Sequence, residues 1–237
     1  MRFSSDQIQK IGKEISSKVD GKTLFDEFSR GRYSTDASVY QIKPLGVVLP
    51  KDTNDVLNLM EYSQKNSIPL LARGGGSSQC GQTVGESVVL DYSKHQNKIL
   101  ELNVEEKYVW VQPGVVLDHL NSFLRPYGLW FPVDVSTSSR ATIGGMSANN
   151  SCGSRSLYYG NMVHNVLAIE AVLDDGSLHT FDQINKNYLA TTNNQDRFYK
   201  IIDKFLNLRQ KVSKDIDENW PTTQRRVCLL YTSDAAD

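Results

Sequence analysis

Residues 68–72, a short apolar run, lead into Arg73, then Gly74, Gly75 and Gly76, then Ser77 and Ser78, with Gly81 and Gln82 just beyond. Three successive glycines remove every Cβ from one bend. The backbone can then turn tightly and aim several N–H groups at one anion. The Ser77 and Ser78 hydroxyls add donors. A strand that ends in such a bend suits a pyrophosphate. A second turn, Thr142 with Gly144 and Gly145, repeats the pattern downstream. A single glycine triplet has a plainer reading, a surface bend that needs positive φ. Arg73, Ser77, Ser78, Gly81 and Gln82 in the same window favour the anion site. No Gly-Lys-Ser/Thr follows, which excludes a Walker A loop. A polar loop and another strand follow in place of a helix, unlike the usual dinucleotide fingerprint. The triplet occurs once, which argues against an RNA-binding repeat.

Residues 130–137 and 142–153 crowd small and amide-bearing side chains around Gly144 and Gly145, including Asn149, Ser151 and Gly153. Backbone donors along an edge, with no bulk over the face, suit a flat ring system. A glycine-rich, cap-bearing loop without a ligand is the alternative. The histidines His95, His119, His164 and His179 stand in no metal-ligand spacing. Cys80, Cys152 and Cys228 are far apart and form no CxxC pair, so neither a disulfide framework nor a cysteine-held metal cluster is expected. No metal site is assigned. His164 is the local candidate for a base, although a structural histidine is the better reading; no catalytic residue is named. Arg155 suits an anionic group or a solvated loop equally.

The elements that must carry these residues follow from periodicity. Residues 5–19 read as a helix with Ile8, Ile11, Ile15 and Val19 on one face. Residues 46–50 form a short buried strand, capped into a helix by Asp52 or Thr53, and residues 68–72 form the next strand. This β-α-β unit delivers the glycine turn. Residues 87–91 make a strand, and 98–103 with 107–112 a hairpin. A helix is expected over 115–124, a short small-residue helix over 144–150, a long strand over 163–173, a hairpin return over 177–181, and an amphipathic helix over 198–212.

The chain has 237 residues, enough for one large domain or two small lobes with a sizeable core. It is 39% hydrophobic and 22% charged with a formal net charge of −1, which gives no reason to expect nucleic acid or anionic membrane as partner. The N-terminus has no apolar signal region, and no apolar run approaches the ~18 residues of a membrane span. The expected location is the cytoplasm, with membrane association only through a partner.

Taken in order, residues 34–40, 73–85, 111–134 and 142–176 resemble the FAD-binding domain of the vanillyl-alcohol oxidase / p-cresol methylhydroxylase family. Within it they are most similar to the FAD-linked D-lactate, glycolate and D-2-hydroxyglutarate dehydrogenases. The resemblance implies an α+β, two-lobed fold: a small β-α-β lobe over about 33–92 and a larger mixed lobe over about 93–227, after an N-terminal helical segment, 1–32. It implies FAD as cofactor, with Arg73, Gly74, Gly75, Gly76, Ser77, Ser78, Gly81 and Gln82 at the pyrophosphate. Pro132, Asp134, Thr142, Gly144, Gly145, Asn149, Ser151 and Gly153 would line the flavin, and Asn165, Val166 and Ile169 the adenine end. Some members attach FAD through a histidine where Ser77 and Ser78 stand here, so the flavin is expected to be non-covalent. Cys152 is the one alternative nucleophile.

The resemblance further implies oxidation of a D-2-hydroxy acid by hydride transfer to flavin N5. A base takes the hydroxyl proton, and an arginine usually fixes the carboxylate. Those substrate groups belong to a C-terminal cap domain that this sequence is expected to lack. An iron–sulfur domain or an electron-acceptor protein is the further partner. Residues 228–237 match nothing in the family and read as a sequencing or reading-frame artefact. Two other readings stay open: an FAD-binding fragment without activity, and an enzyme like UDP-N-acetylmuramate reductase, which would reduce its flavin with NADPH.

Overall fold

The computed structural model describes residues 3–183 and 196–219. The expected 220–227 continuation and the 228–237 tail lie outside the described residues.

The first layer is a four-stranded sheet built from β1 (Lys22–Leu24), β2 (Gly46–Leu49), β3 (Leu70–Arg73) and β4 (Val88–Asp91), in the order β1-β2-β4-β3. β4 runs parallel to both β2 and β3, while β1 is antiparallel to β2. All residues of β2 and β4 are buried, as expected of strands covered on both faces. Val48, Val88 and Leu90 pack against α1 (Ser5–Ser16) and α3 (Thr53–Asn66), while Val47, Leu49 and Val89 point to the other face with Leu24, Tyr33 and Leu71. The alternation is the two-residue period of a strand.

α1 inserts Ile8, Ile11 and Ile15 into the same cluster as Val56, Leu59 and Tyr62 of α3. β1 adds its edge to the sheet. Residues 1–32, expected as a segment ahead of the domain, are thus built into its core as far as they are described. α2 (Glu27–Arg32) closes this region, capped by Asp26. Asp52 caps α3, its carboxylate accepting from the N–H groups of Asn54 and Asp55. The carboxylate of Asp55, itself buried, accepts from the N–H groups of Asp20, Gly21 and Lys51 at 2.7–2.9 Å, tying α3 to the entry of β1 and the exit of β2.

The second region starts with the hairpin β5 (Ile99–Asn103) and β6 (Tyr108–Val111). α4 (Leu117–Leu124) buries Leu120 and Leu124 against it. The helix begins at Leu117 and not at residue 115. Residues 113–114 form a turn and Val116 is extended, bridged to Thr142, because the carbonyls of Pro113 and Val115 take the N–H groups of Gly144 and Ile143 while Leu117 N–H bonds Ala141. α5 (Ile143–Ala148) follows, then two single-turn helices, α6 (Ser156–Tyr159) and α7 (Met162–Asn165). β7 (Ile169–Val172) pairs with β8 (Leu178–Phe181), and α8 (Arg197–Asn219) rests Phe198 on His179 and Phe181.

The long strand expected over 163–173 is replaced by α7 and a shorter β7. His164 Nδ1 accepts from Asn161 N–H at 3.0 Å, and the Asn165 amide donates to the carbonyls of Tyr159 and Asn161 at 2.9 Å. These local bonds close a helical turn that competes with extended pairing.

Candidate cofactor cleft

β3 ends at Arg73, and the chain leaves the carboxyl end of a parallel strand as the loop 74–87 before returning to β4. In open α/β sheets that edge is where ligands bind. The loop faces residues 135–137 and 141–142, with α5 and residues 149–152 completing a cleft.

Glycine is required here by close approach. A Cβ on Gly74 would stand 2.1 Å from Thr142 Oγ1, and one on Gly75 would stand 2.2 Å from the carbonyl oxygen of Arg140. The two walls therefore touch through bare backbone. Gly76 has φ +66°, which turns the chain back over Arg73.

Among the described residues, nothing accepts a hydrogen bond from the backbone N–H groups of Gly74, Gly75, Gly76, Ser77, Ser78 and Gln79. Six consecutive donors beside a cleft are a ready cradle for anionic oxygens. The hydroxyls of Ser77, Ser136, Thr137 and Ser151 also have no partner among the described residues. None of the lining residues carries a charge, so the attraction for an anion here comes from main-chain dipoles.

Ser78 differs from the expectation. Its hydroxyl donates to Gln82 Oε1 at 2.7 Å and accepts from the N–H groups of Cys80 and Gln82, so it ties the loop to itself and has no donor left for a ligand. The second turn also differs. Ile143 N–H bonds Val115, Gly144 N–H bonds Pro113, and Gly145 N–H bonds Thr142 Oγ1. Its first amides are committed to the fold, and the turn acts as a wall.

Of the expected residues, Gly74, Gly75, Gly76, Ser77, Ser78, Thr142, Gly145, Asn149 and Ser151 line the cleft together. Gly81 packs under Tyr40, and Gly144 against Pro113. Asp134 holds the far wall: Ser154 Oγ and Arg155 N–H donate to its carboxylate at 2.5 and 3.0 Å, and Gly153 lies against its carbonyl. Burial pushes the Asp134 pKa up, but these hydrogen bonds outweigh it and hold the group below its ordinary value. Pro132, Asn165, Val166 and Ile169 do not line this cleft. Arg155 lies over the Trp130 ring at 5.1 Å, and His164 is exposed and outside the cleft.

Ala141 completes the lining from outside the expected stretches, and Gln79, Thr83, Val135, Ser136, Thr137 and Met146 from within them without having been singled out; buried Cys152, expected as an alternative nucleophile, lines it too. The hydroxyl pair Ser136–Thr137, two residues after Asp134 in a loop already suspected, was the available signal. Among the described residues, no group of three or more His, Cys, Asp or Glu could hold a metal, and no helix is long and apolar enough to cross a membrane.

The chain belongs to the FAD binding domain family, whose model matches residues 44–182. The cofactor is FAD, and the unpaired amides and open hydroxyls of the cleft fit its diphosphate. A D-2-hydroxyglutarate dehydrogenase of Haemophilus influenzae is 44% identical over 158 residues, covering 64% of this chain and 15% of the relative. Glycolate oxidase subunit GlcD of Bacillus subtilis is 35% identical over 175 residues, covering 72% of this chain and 37% of the relative. The chain thus spans well under half the length of these curated relatives. Among solved structures, an alkyldihydroxyacetonephosphate synthase matches with TM-score 0.64 at 21% identity, over 76% of this chain and 35% of that one. Physcomitrella patens BBE-like 1 matches with TM-score 0.64 at 22% identity, over 75% and 39%. These two likenesses show the fold.

Proposed function

We propose that the chain is the FAD-holding part of a dehydrogenase that oxidises a D-2-hydroxy acid of the 2-hydroxyglutarate, lactate or glycolate type. The cradle of six unpaired amides at residues 74–79 carries this reading. The substrate class rests on the relatives named D-2-hydroxyglutarate dehydrogenase, glycolate oxidase and D-lactate dehydrogenase. FAD, when bound, would supply the two-electron acceptor: the two electrons would leave the α-carbon with its hydrogen as one hydride.

This chain's own residues bind and orient. The amides of 74–79 hold the diphosphate, and Ser77, Ser136 and Thr137 offer hydroxyls along it. Thr142 and Gly145 present a wall without bulk, and Met146 and Val135 exclude water. FAD is held without a covalent bond, since serines occupy the loop and the Cys152 thiol is a small buried wall residue. No histidine, lysine, arginine or carboxylate lines the cleft among the described residues. The base for the hydroxyl proton and the cation for the acid's carboxylate are therefore assigned to a substrate-covering domain or partner.

The test is an absorption spectrum of the purified protein, then anaerobic addition of D-2-hydroxyglutarate, D-lactate or glycolate. Oxidised-flavin bands released by heat and bleached by one of these acids support the whole reading. Bands bleached only by NADPH would overturn the substrate class. Bands untouched by every reductant would leave a binding module.

A further inference from the structure

We infer that Arg73 is the positioning residue of the cofactor loop, a brace under the cradle and not a contact to the ligand; this rests on the FAD reading above. Its guanidinium donates to three main-chain carbonyls: Tyr33 at 3.5 Å, Thr83 at 3.2 Å and Thr35 at 2.9 Å. Arg73 precedes the glycine triplet, and Thr83 lies where the cleft-lining part of the loop ends. One planar cation thus fastens both ends of the loop and joins them to the segment after α2. Lysine cannot reproduce this, because its ammonium lacks the rigid fork that spans several acceptors.

The guanidinium is itself held. It lies 5.2 Å from the centre of the Tyr33 ring, and the Tyr33 hydroxyl donates to Asp91 at 2.6 Å. Asp91 is buried and stands beside Arg73 in the β3–β4 register. A parallel tie reinforces the brace, since Thr83 Oγ1 donates to Asp36 at 3.0 Å. Among the described residues Arg73 forms no ion pair, so its charge is not cancelled by a direct carboxylate partner. Gly76 folds directly onto it: a Cβ there would stand 2.5 Å from Arg73 Nη2. The guanidinium therefore lies against the backbone at Gly76, between the two loop ends that it fastens. It fixes the loop before any ligand arrives, which removes an ordering cost from binding.

The experiment compares wild type, Arg73→Lys and Arg73→Met, titrating FAD into apoprotein by quenching of flavin fluorescence and recording the apoprotein Tm. Arg73→Met and Arg73→Lys should both weaken FAD by about tenfold or more, because neither side chain carries the fork that spans the three carbonyls. The Tm of both variants should stay close to wild type, which separates positioning from general stability, whereas affinity restored by lysine's charge alone would mark a direct contact to the diphosphate and overturn the brace. Should Arg73→Met not fold, a folded Arg73→Lys with tenfold weaker FAD carries the same conclusion. FAD binding by Arg73→Met within threefold of wild type would overturn the brace and leave the FAD reading intact. Equal loss of FAD and Tm in both variants would also overturn it. Failure of wild type to take FAD would instead sink the reading on which the brace rests.

Discussion

Gly75→Ala tests the reason for the glycines. The backbone of Gly75 lies outside the left-handed region, so alanine meets no conformational penalty there; only space decides. The added Cβ would stand 2.2 Å from the carbonyl oxygen of Arg140 and 3.0 Å from its carbon, both main-chain atoms that cannot swing away. Ordinary contact begins near 3.4 Å, so the two walls must part by about 1 Å. An amide moved by that much leaves the ~2.7–3.2 Å window of a good hydrogen bond. A hydrogen bond to a charged group is worth about 1.5–3 kcal/mol. Losing two of the six donors should therefore weaken FAD by about 100-fold or more. Isothermal titration of apoprotein with FAD measures this, with far-UV circular dichroism to confirm the fold. Gly85→Ala is the matched control, since its Cβ would meet Leu71 and Ser87 at 3.5 and 3.6 Å, ordinary contact. Wild-type FAD affinity in Gly75→Ala would refute the close-approach argument, and a Gly85→Ala as impaired as Gly75→Ala would refute its specificity.

Three further outcomes are expected. Thr142→Ala removes the hydroxyl that caps α5 at Gly145 N–H, and should cost about 1 kcal/mol in urea unfolding; no change in midpoint would contradict the cap. Asp55→Ala strips three backbone N–H groups of their shared acceptor in a buried site, and should destabilise the apoprotein by about 3 kcal/mol or more, a loss a thermal melt would reveal. Asp36 and Asp134 both sit below the ordinary value of 3.8: burial raises each, and hydrogen bonds from Ser38 and Thr83, or Ser154 and Arg155, outweigh it. Their unfolded forms bind protons first as pH falls, so their contribution is complete above about pH 5 and is lost progressively as pH falls through the ordinary value and then the lowered folded one. Tm should hold from pH 7 to about 5 and drop only as the solution becomes more acidic, whereas a decline already complete by pH 5 would point to other groups.

Much of the site was legible because its signal is local. The glycine triplet after an apolar run located the bend that lines the cleft, and the β-α-β period located the strands that carry it. What the sequence hid depends on partners distant along the chain. Nothing in Thr142–Gly145 announces that its amides go to Pro113 and Val115, so that turn reads as a second cradle although it is a wall. The run from Val163 is apolar enough for a strand, but Asn161, His164 and Asn165 close it into a helical turn through side-chain bonds. Ser78 looks like a donor to a ligand until Gln82 is seen to hold it. Nothing local to Arg73 announces its three carbonyl acceptors, which lie on segments 10 to 40 positions away.

The most direct measurement is a crystal structure of the protein with FAD. Diphosphate oxygens within about 3 Å of main-chain nitrogens of residues 74–79 are the predicted result. A glycine bend open to solvent, with FAD seated elsewhere, would contradict it.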